Sequence, residues 1–170
     1  MYINVEKHMY SRLLYSNPVC IVSTSDSLMV ASWLSPIDNN GHFTISINEK
    51  RHSLPILLEK MSFVLNIASL NNQELVLAVG GISGRDGDKY SRLSLERTFD
   101  GRWCYLDGMP GRLNCLIDES LVRHGHVVLV CTIVSATVDD AYWNGKQLLN
   151  DKDPTLTFLG TKTFGYIRSV

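Results

Sequence analysis

The sequence has no hydrophobic run long enough to cross a membrane. Its longest uninterrupted apolar stretches, 75–79 and 127–131, are five residues long, whereas a membrane helix needs about 20. The amino terminus also lacks a basic start followed by an apolar stretch, which is the pattern of a secretory signal. We therefore expect a cytoplasmic protein with no membrane partner.

Neither sign of charge dominates. The chain has 16 Lys and Arg against 17 Asp and Glu, a formal net charge of -1. Proteins that bind nucleic acid usually carry a basic excess or a basic stripe, because they must neutralise phosphates. The near-neutral balance therefore predicts that no nucleic acid is among the partners.

Cysteine is sparse and badly spaced for metal binding. The four cysteines, Cys20, Cys104, Cys115 and Cys131, form no Cys-x-x-Cys pair, and the five histidines show no metal-binding spacing. A zinc site or a dithiol redox pair therefore has little support. We expect reduced thiols in the core of a cytoplasmic protein and no metal.

The hydrophobic pattern predicts an α+β fold. The chain of 170 residues suffices for a single domain over 1–170 with a sizeable core. Residues 42–48 alternate as a half-buried strand, and the 13-residue run 126–138, dominated by Val, Ile, Thr and Cys, exceeds a usual strand of about 5–6 residues. Such a long strand fits a curled sheet in which it serves two neighbours. With helices predicted between the strands, we expect a mostly antiparallel barrel with helices packed outside. Further strands are predicted at 19–24, 28–34, 63–67, 113–118 and 156–159.

The most informative segment joins the alternating strand to a predicted helix. Lys50, Arg51 and His52 follow Asn48, and Ser53 is a plausible N-cap. A helix N-terminus attracts anions, Arg can hold two phosphate oxygens, and Ser adds a hydroxyl. Alternatively, Arg51 is an exposed loop residue and Ser53 merely caps the helix.

Two other segments could face a ligand. The stretch 80–90 is glycine-rich and contains Lys89, but it matches neither a P-loop nor the dinucleotide fingerprint. It is either a loop that approaches a ligand or a helix end with a solvated turn. In 29–36, small residues beside Trp33 would let a flat ligand approach the backbone, unless Trp33 lies in the core. Because no side chain stands out as a nucleophile or general base, a cofactor would carry any reaction.

These segments, in this order, resemble the flavin reductase-like family, the FMN-binding split barrels that include flavoredoxin-type proteins. The resemblance covers roughly residues 8–160. Its motifs are the opening strand 15–22, the Ala-Ser-Trp strand 31–36, the basic corner 46–53, the strand 63–67, the Ser-Gly and Asp-Lys-Tyr loop 83–90, and the late strand from His126. Two departures are Val30, where many members have Thr, and the loop 38–41, where Asp-Pro-Pro is common.

The resemblance implies a six-stranded split barrel, usually a homodimer, with FMN near the subunit interface. It further implies a flavoprotein that uses NADH or NADPH as a flavin oxidoreductase, or alternatively an electron carrier that only binds FMN. A third possibility is a dimeric interaction module without flavin. The residues expected to bind the cofactor are Val30, Ala31, Ser32, Trp33, Leu34, Asn48, Lys50, Arg51, His52, Ser53, Ser83 and Lys89.

Overall fold

The computed structural model describes residues 5–167, which form strands with a few short helices. The strands are β1 (Asn17–Pro18), β2 (Cys20–Thr24), β3 (Ser27–Ala31), β4 (Leu34–Pro36), β5 (His42–Asn48), β6 (Ser62–Ile67), β7 (Thr98–Asp100), β8 (Trp103–Tyr105), β9 (Gly111–Arg123), β10 (His126–Val138), β11 (Leu156–Gly160) and β12 (Thr163–Tyr166). The α-helices are α1 (Ser53–Lys60), α2 (Gln73–Gly81) and α3 (Lys89–Arg92), and 3₁₀ turns cover Lys7–Leu14, Leu70–Asn72, Gly84–Asp86 and Asp140–Tyr142.

The main sheet is antiparallel throughout and curls on itself. Its order is β3-β2-β6-β9-β10-β5-β4. The two edge strands, β3 and β4, are joined by Ser32 and Trp33 alone. Three Cα steps span at most about 11 Å, whereas seven strands laid flat would separate their edges by about 29 Å. The short link therefore requires the sheet to curl until its edges meet, which confirms the predicted α+β architecture.

The predicted strand over 126–138 is confirmed as β10. It pairs with β9 along its whole length and with β5 through residues 126–132, so it serves two neighbours as expected. β9 is longer than the predicted 113–118, because the hairpin pairs as far as Arg123. Register shifts at Val130/Cys131 and Ile133/Ser135 mark bulges, which bend a strand and so help the sheet to curl.

The prediction of one continuous strand over 28–34 is wrong. β3 ends at Ala31 and β4 begins at Leu34, so the segment contributes to both edges of the sheet. The main sheet consequently has seven strands where six were expected. A second, three-stranded sheet of order β1-β11-β12 contains the predicted strand at 156–159.

Apolar side chains form a core on each face of the curled sheet. Inside it, the alternating residues Phe43, Ile45 and Ile47 are buried as predicted. Outside it, β2 and β3 pack against α2 and α3, where Val76 and Tyr90 are buried. Burial of this apolar area stabilises the fold by about 25 cal/mol per Å².

The expected state of the thiols also matches the structure. Cys20, Cys104, Cys115 and Cys131 are all buried and free, and burial raises the pKa of Cys20 to about 12. Within residues 5–167, no cluster of His, Cys, Asp or Glu could hold a metal ion. No helix in that range is long and apolar enough to span a membrane.

Candidate functional site

A cleft with a volume of about 810 Å³ opens at the seam of the curled sheet. The β3–β4 link, the end of β5, helix α2 and the β11–β12 hairpin surround it. Among its lining residues are six of the twelve predicted ones: Val30, Ala31, Ser32, Trp33, Asn48 and Arg51. Ligand sites in proteins typically span about 300–1,000 Å³ and are lined mainly by apolar groups, so this cleft has the size and character of a small-molecule site.

Aromatic rings form a continuous row along the cleft, defined here as Phe164, Phe158, Tyr15, Trp33 and His126. Ring centroids are 5.9 Å apart for the first pair and 5.6 Å for the second. Trp33 then donates its indole N–H to the Tyr15 hydroxyl at 3.3 Å and stacks on His126 at 5.3 Å. Trp33 is 38% exposed, so it is not the core tryptophan of the alternative interpretation. This aromatic row offers flat apolar surface to a planar ligand.

Arg51 stands at the His126 end of the row. His126 pairs with Asn48 across β10 and β5, and the turn after Asn48 is closed by the Arg51 N–H, which donates to the Asn48 carbonyl at 3.0 Å. The guanidinium is exposed and makes no hydrogen bond or ion pair within residues 5–167. It lies two residues before α1, whose N-terminal amides favour anions. An unpartnered guanidinium here is suited to bind an anionic group.

Lys89 adds a second cation near Arg51. Its ammonium donates to the Val79 carbonyl in the last turn of α2, at 2.7 Å. Burial lowers the pKa of Lys89, and the positive charge of Arg51 lowers it further. An anion bound close to both groups would offset this repulsion.

Lys89 and His52 line a smaller neighbouring cavity of about 270 Å³ instead of the main cleft. The loop over this cavity is held to the basic corner, because Arg85 donates to the Lys50 carbonyl at 2.7 Å. Gly84 lies so close to His52 that a Cβ would fall 2.4 Å from the ring. Ser83 caps the loop's 3₁₀ turn by accepting a hydrogen bond from the Arg85 N–H at 3.2 Å.

Four predicted residues line neither cavity: Lys50 and Ser83, which belong to the loop contacts described above, and Leu34 and Ser53. Leu34 pairs with Ile45 at the start of β4. Ser53 is the first residue of α1 and not its N-cap, a position that His52 occupies with helical backbone and no capping side-chain hydrogen bond. The Ser53 hydroxyl is buried, and it accepts a hydrogen bond from Ser27 at 2.7 Å.

A family model described as "Flavin reductase like domain" matches residues 10–154 of the chain. The protein belongs to the flavin reductase-like family.

Its fold is also that of solved split-barrel proteins. Flavoredoxin from Methanosarcina acetivorans superposes with a TM-score of 0.85 at 17% identity, covering 100% of this chain and 93% of that one. An FMN-binding protein from Thermus thermophilus gives a TM-score of 0.81 at 18% identity, covering 98% and 94%. In sequence, the uncharacterized protein YddH of Escherichia coli (strain K12) is 24% identical over 188 residues, covering 96% of this chain and 93% of YddH. The split-barrel fold implied by the family resemblance is therefore confirmed.

Several cleft residues of this flavin reductase-like protein were not among the predicted ones. They are Tyr15, Leu77, Gly80, Gly81, His126, Phe158, Thr161, Lys162 and Phe164, together with the buried Val19, Met29 and Val76 and the strand residues Ser46 and Ile47. Some of them lie in segments that the sequence singled out: Tyr15 and Val19 in the opening strand 15–22, Met29 in 29–36, Ser46 and Ile47 in the basic corner 46–53, Gly80 and Gly81 in the glycine-rich stretch 80–90, and His126 at the start of the late strand. The others lie far apart in the chain, and no local pattern distinguishes them from core or surface residues.

The contact between Gly84 and His52 predicts a large difference between two glycine substitutions. Gly84→Ala should lower the free energy of unfolding by about 1–3 kcal/mol, because its Cβ displaces His52. Gly81→Ala is the matched control, since a Cβ there meets nothing within 4 Å, and we expect it to change stability by less than about 1 kcal/mol. Denaturant unfolding of both variants is the measurement. Equal stabilities would show that the loop is not packed on His52 as described.

Proposed function

We propose that this protein binds FMN in the main cleft, with the phosphate at Arg51, and that it acts as an NAD(P)H-dependent flavin oxidoreductase. The observation that carries the proposal is the unpartnered Arg51 guanidinium at one end of an aromatic-lined cleft. A planar ligand with a single anionic tail matches that arrangement.

The charge of the cleft supports an anionic ligand. None of the described residues that line it is Asp or Glu, while Arg51 is on its surface. A phosphate at Arg51 would therefore meet a cation without a competing carboxylate. Arg51 can offer two parallel N–H donors to one phosphate, and a charge-assisted bond of this kind is stronger than a neutral one.

The basic corner would hold the phosphate through several groups. Arg51 and Asn48 line the main cleft, and Lys89 and His52 approach from the smaller cavity. Ser53 would act indirectly, as the buried first residue of α1, where its hydroxyl accepts the Ser27 hydrogen bond. Lys50 and Ser83 would contribute indirectly, because their hydrogen bonds with Arg85 hold the loop against the basic corner.

The flavin ring would lie against the seam. Val30, Ala31 and Ser32 supply the end of β3, Trp33 supplies a ring face, and Leu34 packs behind the seam against the inner core. Bound flavin supplies the hydride chemistry, so the protein needs no nucleophile of its own. The residues of the chain bind and orient the ring, and their apolar surface keeps water away from it. Its structural relatives include an FMN-binding protein and a flavoredoxin, and this similarity favours the same cofactor.

Arg51→Ala should weaken FMN binding by about 10- to 150-fold, since a charge-assisted hydrogen bond is worth about 1.5–3 kcal/mol. Isothermal titration of FMN into the wild type and the variant measures the change. Arg102→Ala is the matched control, because Arg102 packs over the ring of Trp103 away from the cleft. Unchanged FMN affinity in Arg51→Ala would rule out Arg51 as the phosphate ligand.

Turnover with a nicotinamide needs its own test, because flavoredoxin-type relatives favour an electron carrier as the second candidate. We expect steady-state oxidation of NADH or NADPH in the presence of excess FMN. No oxidation of either donor by protein that binds FMN would favour the carrier. Protein that stays colourless after incubation with FMN and desalting would favour an interaction module without flavin.

We also propose that the protein is a homodimer, as the family resemblance implies. The 3₁₀ turn at Lys7–Leu14 has no buried residue, and its Leu13 and Leu14 are 69% and 81% exposed. Exposed apolar side chains of this kind favour burial against a partner. Light scattering coupled to size exclusion should give twice the chain mass of 19.1 kDa, and Leu13→Glu with Leu14→Glu should lower it. A monomeric wild type would contradict the dimer.

A further inference from the structure

The aromatic row has an unpaired cation at each end. Arg51 follows Asn48, the pairing partner of His126, so it stands at the His126 end. At the other end, Phe158 and Phe164 pair across β11 and β12, and the turn between those strands contains Lys162. Lys162 lines the same cleft and makes no hydrogen bond or ion pair within residues 5–167.

The turn holds Lys162 in an uncommon backbone conformation. Gly160 pairs with Thr163, which leaves Thr161 and Lys162 as a two-residue turn. Their φ angles are 46° and 62°, a region where Asn and Gly are the usual residues and a β-branched Thr is an outlier. Backbone strain of this kind is concentrated at functional sites.

A further positive charge lies behind the turn. Arg12 packs against Gly160, since a Cβ on that glycine would fall 3.3 Å from the Arg12 Nε. No Asp or Glu is among the described residues of the cleft lining. The hairpin end of the cleft therefore has a positive potential that its own lining does not neutralise.

We propose that Lys162 is a specificity residue, which selects a planar second substrate carrying a phosphate or a carboxylate. This inference rests on the proposed function. The only anionic group of FMN, its phosphate, would bind Arg51, at the end of the aromatic row far from Lys162. Lys162 then remains available for the anionic group of a second ligand. The Phe158 and Phe164 rings beside it would contact that ligand's planar part.

Two ligand pairs test this selection, because the members of each pair differ at the anionic group. Benzoate and benzamide probe a carboxylate; nicotinamide mononucleotide and nicotinamide riboside probe a phosphate. Isothermal titration is done with FMN-loaded and flavin-free wild type, Lys162→Gln and the control Lys146→Gln, an exposed lysine outside the cleft. For at least one pair, Lys162→Gln should weaken the anionic member by about 2- to 5-fold and leave the other member unchanged. FMN affinity should not change.

Equal losses for both members of each pair, no loss for either, or no binding of any probe to the wild type would overturn the role of Lys162. A loss of FMN affinity in Lys162→Gln would also overturn it, because the flavin phosphate would then occupy this end. The two proposals can also fail separately. If the wild type does not bind FMN, but Lys162→Gln still lowers the affinity for the anionic probe alone, the inference about Lys162 stands and the proposed cofactor does not.

Discussion

The two-residue link between β3 and β4 is the constraint on which the site depends. These strands are the opposite edges of a seven-stranded sheet, and only Ser32 and Trp33 join them. The link brings the edges together and leaves Trp33 at the seam, where its carbonyl accepts a hydrogen bond from the Ser46 N–H of β5 at 2.8 Å. Seam residues that cannot continue either strand are free to face a ligand. The cleft is a consequence of how the sheet closes.

Closure also determines where charge and aromatic surface lie. The β10–β5 register sets His126 opposite Asn48 and so brings the aromatic row to the basic corner. The β1–β11 pairing brings Phe158 to the other side of the seam, beside Tyr15. The described cleft lining thus combines flat apolar walls with cations and no carboxylate. This combination favours a planar anion over a neutral or cationic ligand.

The sequence predicted those features of the fold and the cleft that depend on a single stretch of the chain. The alternation over β5 and the length of β10 identified the curled sheet, and the basic corner identified Arg51. The break at Ser32 and Trp33 was missed because both residues are compatible with a strand, and only the closing of the sheet interrupts it. Tyr15 and Phe164 were missed for a related reason: pairing between distant segments brings them to the cleft, and no periodicity within one segment reports it.

The most direct test of the central claim is a crystal structure of the protein with FMN bound. The account predicts phosphate oxygens within about 3.2 Å of the Arg51 guanidinium, with the flavin ring at the seam beside Trp33. A phosphate bound at Lys162, or a flavin bound outside the cleft, would contradict it.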